Sequence, residues 1–512
     1  MYLVFTGSKD TYITNKIIDG AFSASDANVG RAGTIDIFKL YNETMLGTQS
    51  GSHEISRGLI KFDLDPIKAL TGSVIDINDS SFKVKMKLHN IIGGNAVPSN
   101  FTLVAAPLSH SFDEGNGRDL ISFADLDSAN FITASVTANV PTAWHVSGAN
   151  AGGLLNSDNI DFITSGTIDG TLQSLVAEQT FVKGTEDMFV DITKIISATL
   201  DNKVPDYGFR LAFTGSEEDD EKTRFVKRFA SLQSSNPLKK PSIHVLFDDS
   251  QFDAATDFVF DVSGSLYLNN FVRGSRYNFL SGAAATEVNG TDCMTLRLEK
   301  NDYSKTFNVS QVKRGTDKTA ITGLYSASIA VSLADQTVIN SENERILNFA
   351  NASGSITFDA IWCSNDSNVG FHTGSLEISR SRSSAFDSTP ANLLVKPVTL
   401  PARMQHDEIL KIQFFVTDRN IPQKIYKVPY RTPSMILNNA YYRIRDLDTN
   451  QVVIPFETTN GATKMSSDTE GIYFTLRTET LPKGRSYTID VLIKDFAQDQ
   501  IYLDVGQGFR VE

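Results

Sequence analysis

Histidine is the side chain best suited to proton transfer near neutral pH and to zinc. The chain has seven: His53, His89, His110, His145, His244, His372 and His406. None lies three to five residues from another, so the usual metal-ligand spacing is absent. They read as surface or loop residues, with His89 and His244 at outward strand positions. The loop SFDEGNGRD (Ser111–Asp119) is the best polar candidate. Asp113, Glu114, Asn116 and Asp119 could offer several oxygens to Ca²⁺, a hard cation that prefers them. No calcium-loop register is met, however. The competing reading is an acidic surface loop in which Gly115 and Gly117 supply positive φ. The run Glu217–Glu221 reads as a solvated tip. Trp144, in PTAWHVSGAN, is the one candidate platform for stacking a sugar ring, although tryptophans more often anchor cores or loops. Nucleophile motifs, Gly-rich phosphate loops and paired-carboxylate signatures are missing. A non-enzymatic protein with no cofactor other than a possible Ca²⁺ is expected.

Composition narrows the class further. The chain has 512 residues, 41% of them hydrophobic and 21% charged, which is ordinary for a globular protein of several domains. Glycine (34) is abundant and phenylalanine (33) far outnumbers tryptophan (2), as suits packed sheets with many tight turns. A net charge of −13 argues against nucleic acid as a ligand, because phosphate binding needs clustered Lys and Arg. No apolar run of about 18 residues occurs, so no membrane insertion is expected. The opening MYLVFTGSKDTYI lacks a basic n-region and does not read as a signal peptide. Cys293 and Cys363 are the only cysteines, too few for a disulfide framework. They read as free thiols of a protein made in a reducing cytoplasm, although facing strands could still pair them.

The elements that must position these residues are strands. SRGLIKFDL (Ser56–Leu64) puts Ile60, Phe62 and Leu64 on one face. SFKVKMKLHN turns Phe82, Val84, Met86 and Leu88 inward and Lys83, Lys85, Lys87 and His89 outward. Near Phe247 the inward set is Ile243, Val245 and Phe247. Tyr207, Phe209, Leu211 and Phe213 alternate in the same way. Two short helices are expected. Asp65–Gly72 has Asp65 as N-cap and Pro66 at its first position, and Val190–Leu200 has Asp191 as N-cap. An all-β chain of three units follows: a jelly-roll sandwich over 1–250, a second β-sandwich over 251–398, and an immunoglobulin-like sandwich over 399–512. A composition shift near Pro390–Pro401 marks the last boundary. In the last unit Ile412, Phe414 and Val416, then Ile472, Phe474 and Leu476, then Tyr487, Ile489, Val491 and Ile493 alternate inward.

DTYI at Asp10–Ile13, GLIKFDL at Gly58–Leu64, VDITKII at Val190–Ile196 and RFASLQSSNPLKKPSIHV at Arg228–Val245 occur in the order seen in one family. This region resembles the DNRLRE or disaggregatase-related jelly-roll domains, also grouped with carbohydrate-binding modules. Arg57, Phe62, Asp63, Asp191, Thr193, Phe229, Ala230, Ser231, Pro241 and Val245 match the family pattern. Leu232 and Gln233 depart from it, since Arg-Glu stands there in the family. The resemblance implies a jelly roll more firmly than sugar binding, because one fold hosts many functions. The whole layout looks like virion structural proteins of tailed bacteriophages. That likeness implies a protein of the neck, tail or baseplate, located in the virion after synthesis in the host cytoplasm. Its partners would be other virion subunits, with many copies in a symmetric assembly. The alternative is an adhesin module that recognises a host surface glycan.

Overall fold

The computed structural model describes residues 1–43, 52–71, 74–94, 96–121, 127–255, 258–273, 275–314, 319–340, 342–380, 391–420, 432–494 and 498–512. It is all-β, with short helices, and divides into two compact units. One comprises Tyr2–Thr71 and Phe82–Leu246; the other comprises Met1, Gly72–Ser81 and Phe247–Glu512. No helix is long and apolar enough to cross a membrane among the described residues.

In the first unit the strand Tyr2–Thr14 serves two sheets. Its start pairs with Ser242–Leu246, and after a bulge between Gly7 and Lys9 it pairs with His53–Phe62. A bulge re-aims a strand, so one chain segment can turn the corner of a sandwich. On one side the order runs Ala177–Phe181, Phe101–Pro107, Phe209–Phe213, His53–Phe62, Tyr2–Thr14. On the other it runs Tyr2–Thr14, Ser242–Leu246, Lys83–Leu88, Met188–Asp191. Arg224–Ala230 pairs with Thr34–Tyr41, and Phe229 meets Phe181 across the core at 6.3 Å between ring centres. The alternation in Lys83–Leu88 holds: Val84, Met86 and Leu88 are fully buried and the lysines half-buried.

Three local expectations are corrected. The first helix is Asp65–Leu70, with Leu64 rather than Asp65 at its capping position; the Asp63 carboxylate accepts the Asp65 N–H at 3.0 Å. The second is Thr193–Leu200, because Met188–Asp191 continues as a strand. Asp191 still accepts the Thr193 N–H at 2.9 Å, so its capping chemistry survives one residue outside the expected place. Tyr207 is exposed, and the strand begins at Phe209.

The second unit contains a seven-stranded sheet. Its order is Phe258–Val259, Gly370–Ser379, Ser355–Ser364, Met294–Lys300, Tyr303–Arg314, Thr319–Ile329, Gly264–Asn269. Met294, Leu296, Leu298, Phe358 and Trp362 bury its apolar face, closed by helix Ile346–Ser353 and by the segment carrying Phe279 and Val288. Cys293 and Cys363 are both free thiols.

Residues beyond Leu393 form two further sheets. Leu393–Thr399, which straddles position 398, pairs along its length with Ile409–Asp418. That sheet continues to Gly471–Arg477 and Ser466–Asp468. The facing sheet runs Arg403–Met404, Phe509–Val511, Ser486–Ile493, Ala440–Asp446, Val452–Ile454, with the first pair parallel. Leu393–Thr399, Ile409–Asp418, Gly471–Arg477 and Ser466–Asp468 in one sheet, and Ser486–Ile493 between Phe509–Val511 and Ala440–Asp446 in the other, is immunoglobulin topology, with Leu393–Thr399 and Arg403–Met404 as a first strand divided between sheets. Tyr442 stacks on Phe474 at 3.8 Å between the two. Tyr487, at the start of Ser486–Ile493, donates its hydroxyl to the Pro482 carbonyl at 2.7 Å, the tyrosine corner of such domains. Tyr487→Phe keeps the fully buried ring and loses that bond. We expect a loss of about 1 kcal/mol in chemical denaturation of this domain; an unchanged midpoint would count against the corner as a stabilising contact.

Candidate functional site: a buried charge cluster in the first sandwich

The strand His53–Phe62 is buried on both faces, so Arg57 has to find its partners inside the protein. An unpaired buried charge costs several kcal/mol or more, and burial selects close, saturated pairing. Glu218 supplies it. Arg57 Nε donates to Glu218 Oε1 at 2.9 Å and Nη2 to Oε2 at 2.7 Å, while Nη1 reaches the Gly148 carbonyl at 2.8 Å. Arg210, on the equally buried strand Phe209–Phe213, lies 3.5 Å from Glu218 Oε2 and donates to Asn150 Oδ1 at 3.3 Å. Its guanidinium sits 4.4 Å from the centre of the Phe162 ring, a cation–π contact.

A second knot adjoins the first. Lys39, with no exposed surface, donates to Asp220 Oδ1 at 2.8 Å and to the Glu217 carbonyl at 3.0 Å. Arg224 grips both Asp220 oxygens, at 2.7 and 2.6 Å. Glu217 accepts the Thr102 N–H at 3.0 Å. The stretch Ser216–Lys222 is therefore only partly the solvated tip its composition suggests: Asp219, Glu221 and Lys222 are exposed, while Glu217, Glu218 and Asp220 tie Gly215–Asp219 to the strands. An acidic run indicates solvent exposure only when no buried cations await it; Arg57 and Lys39 lie far upstream in sequence, and Arg210 only eight residues before Glu218.

Burial alone would raise Glu218, but the Arg57 bonds and the Arg57 and Arg210 charges hold it below the usual carboxylate range. Arg224 above all, then Lys39, holds Asp220 far down. Burial and the neighbouring Arg57 charge push Arg210 downward.

Near Arg210 and Asn150 a serine, a histidine and a carboxylate come together: Ser109, His110 and Asp161. Ser109 Oγ is 3.0 Å from His110 Nδ1, and His110 Nε2 is 3.8 Å from Asp161 Oδ1. A working triad needs hydrogen-bond reach at both steps. Here the longer separation is not a hydrogen bond. The Ser109 hydroxyl is directed at the Ile160 carbonyl. Asp161, wholly buried, accepts the N–H groups of His145, Val146 and Ala151 at 2.6, 3.0 and 2.9 Å. It organises the 145–151 loop and has no geometry for orienting an imidazole. Burial lowers the His110 pKa against the opposing charge of Asp161, and the ring lies 5.1 Å from Trp144.

The residues singled out in sequence fall as follows. Trp144 is 4% exposed, in a core with Ile13, Leu59, Leu108 and Phe112, and its indole N–H goes to the Asn130 carbonyl at 2.9 Å. It offers no open ring face for a sugar. The four candidate calcium ligands turn to different partners. Asp113 accepts the Val136 N–H at 2.8 Å, Glu114 the Asp10 N–H at 3.1 Å, and Asp119 the Ile121 N–H at 2.9 Å; Asn116 is exposed. Among the described residues no group of three or more His, Cys, Asp or Glu is placed to hold a metal. Asn28 pins this loop instead. Its amide donates to the Glu114 and Ala129 carbonyls, and its oxygen accepts Gly30 and Gly117 N–H. Gly115 sits at φ +79° with its missing Cβ aimed at Asn28.

His89 is half-buried and 3.1 Å from Asp187. His244 is a correction, being 3% exposed although on an outward strand position. It bridges the Tyr2 hydroxyl at 2.8 Å and Ser242 Oγ at 3.1 Å, and burial drives its pKa well down. Sequence reasoning missed the Arg57–Glu218–Arg210 knot. The available signal was an arginine as the one charged residue in each of two runs, SRGLI and FRLAF, that read as strands with one outward face.

No protein-family model and no curated protein matches this chain. Among solved structures, a titin fragment is 8% identical with a TM-score of 0.14, over 52% of this chain and 97% of its own. The N-terminal Ig1-2 module of the Drosophila receptor protein tyrosine phosphatase DLAR is 9% identical with the same TM-score, over 49% and 90%. The FN1-FN3 domains of chicken CNTN1 are 11% identical, again at 0.14, over 50% and 65%. At that TM-score they carry no functional inference, and the immunoglobulin topology rests on the strand order given above.

Proposed function

We propose that this chain is a non-enzymatic structural protein of a tailed-bacteriophage particle, in the neck, tail or baseplate region, that docks to other virion subunits through its sheet faces and loops. The observation that carries the non-enzymatic part is how the buried ionisable groups are used. Arg57, Lys39, Glu218 and Asp161 are engaged by one another, by Asp220 or by backbone groups within hydrogen-bond distance, and Arg210 by Glu218 and the Asn150 side chain, with its Nε left unpartnered. An active site holds such groups in reserve for a substrate. The particle assignment is supported by the sequence resemblance and by the succession of sheet modules, which suits a chain that works by contact. The second reading, a glycan-binding adhesin, loses its stacking residue with Trp144 in the core and would need another platform.

The test is proteomic. In purified particles from the phage that encodes this sequence, peptides of the chain should appear in multiple copies per particle, and gold-labelled antibody should mark the neck or tail. Particles that are complete and lack the chain would overturn the assignment. Turnover of a polysaccharide by the pure chain would overturn the non-enzymatic part.

A further inference from the structure

We propose that copies of this chain associate head to tail, a lysine stripe on the first sandwich of one copy meeting a carboxylate stripe on the seven-stranded sheet of the next. The proposal rests on the reading of the chain as a multi-copy structural protein.

The lysine stripe is built by strand alternation. Val84, Met86 and Leu88 are fully buried, so Lys83, Lys85 and Lys87 project together from the opposite face of Lys83–Leu88. None of the three makes an ion pair among the described residues. Of the acids beside them, Asp187 is hydrogen-bonded to His89 and also attracts Lys87, and Asp191 accepts from Thr193. Lys85 and Lys87 instead lean over the exposed Phe189 ring, at 5.0 and 6.0 Å from its centre. Three like charges on one strand, on a chain of net charge −13, form a local cationic field with an aromatic centre. Exposed aromatic side chains are enriched at interface centres, while lysines serve at the rim, where charge steers association.

The carboxylate stripe arises in the same way. Ile356, Phe358 and Ala360 face the core, which turns Thr357 and Asp359 outward. Asp359 stands directly opposite Glu299 in the neighbouring strand, and Glu377 opposite Thr357. Like charges directly opposite across a sheet repel. Arg297 reaches Glu299 at 2.7 Å, which leaves Asp359 and Glu377 as excess negative charge. Each stripe is thus unfavourable alone and complementary to the other. Two different surfaces that complement each other give a heterologous contact, which propagates as a ring or filament. Single exposed ion pairs contribute little, so the effect comes from several acting together and falls with salt.

The experiment uses the full chain in analytical ultracentrifugation at about 20 mM and about 500 mM salt. The wild type should associate at low salt and dissociate at high salt. Lys85→Glu with Lys87→Glu, and separately Glu299→Lys with Asp359→Lys, should each weaken association about tenfold or more. An equimolar mixture of the two variants should restore it, because each then carries the stripe that the other lacks. All substituted side chains point away from the core, and unchanged thermal melting would show that both variants fold. A wild type that stays monomeric at low salt overturns the proposal, as does association that ignores both charge reversals. Particles that contain the chain while the variants still assemble would sink this contact and leave the structural role standing.

Discussion

Glu218→Ala should destabilise the first sandwich by about 3–5 kcal/mol, the usual cost of removing one partner from a buried ion pair. The loss is large because two guanidiniums stay behind. Arg57 keeps only the Gly148 carbonyl, and Arg210 keeps Asn150 and the Phe162 ring. Neither can move to water, since the strands that carry them are buried on both faces. Trp144 lies in the same unit, so its fluorescence in a Trp362→Phe background follows the unfolding of this sandwich alone. The urea midpoint should fall, with the dependence on urea unchanged. Glu218→Gln should fall less, since the amide oxygen still accepts one bond. Arg57→Met, Arg210→Met and Glu218→Leu together should recover much of the loss, because an apolar replacement leaves no stranded charge. A midpoint shift in Glu218→Ala equivalent to less than about 1 kcal/mol would show that the knot is not what holds the Gly215–Asp219 turn.

The second large effect depends on pH. Asp10 is 1% exposed, and its folded pKa is raised from 3.8 to about 7. Burial is the main cause and Glu114 adds to it. The Leu232 N–H bond, Lys240 and Arg31 oppose it. The folded state therefore holds a proton that the unfolded chain gives up near pH 4. Stability from this group is complete below that point and is lost as pH rises through about 7, a difference of about 4 kcal/mol. Asp10→Asn keeps the shape and removes the titration. Its denaturation midpoint, relative to wild type, should climb from about pH 4.5 to about pH 7 and then level off. Glu218, Asp220, Asp446 and Asp490 are held low and act in the opposite sense, losing stability as pH falls. They are common to both proteins and cancel in the comparison. A difference that stays constant across this range would mean that Asp10 is ionised throughout.

What the sequence determined by itself was the class of element and the inward face of most strands. Alternation has a period of two, and KVKMKL or GIYFTL cannot turn its apolar set outward without exposing the whole of it. Hence Val84, Met86 and Leu88, and Ile472, Phe474 and Leu476, lie where periodicity puts them. Only the tertiary structure decided what the second face of a strand meets. His244 sits on an outward position and is nevertheless enclosed by Tyr2, Ser242 and Phe189. Glu218 is bound by arginines 161 and 8 residues away in the chain. Trp144 is in a loop-like stretch and still joins a core, because the strands beneath it leave an apolar gap beside Ile13 and Leu59. A local pattern records how a strand divides its own two sides. Charge pairing and enclosure depend on segments that folding alone brings together.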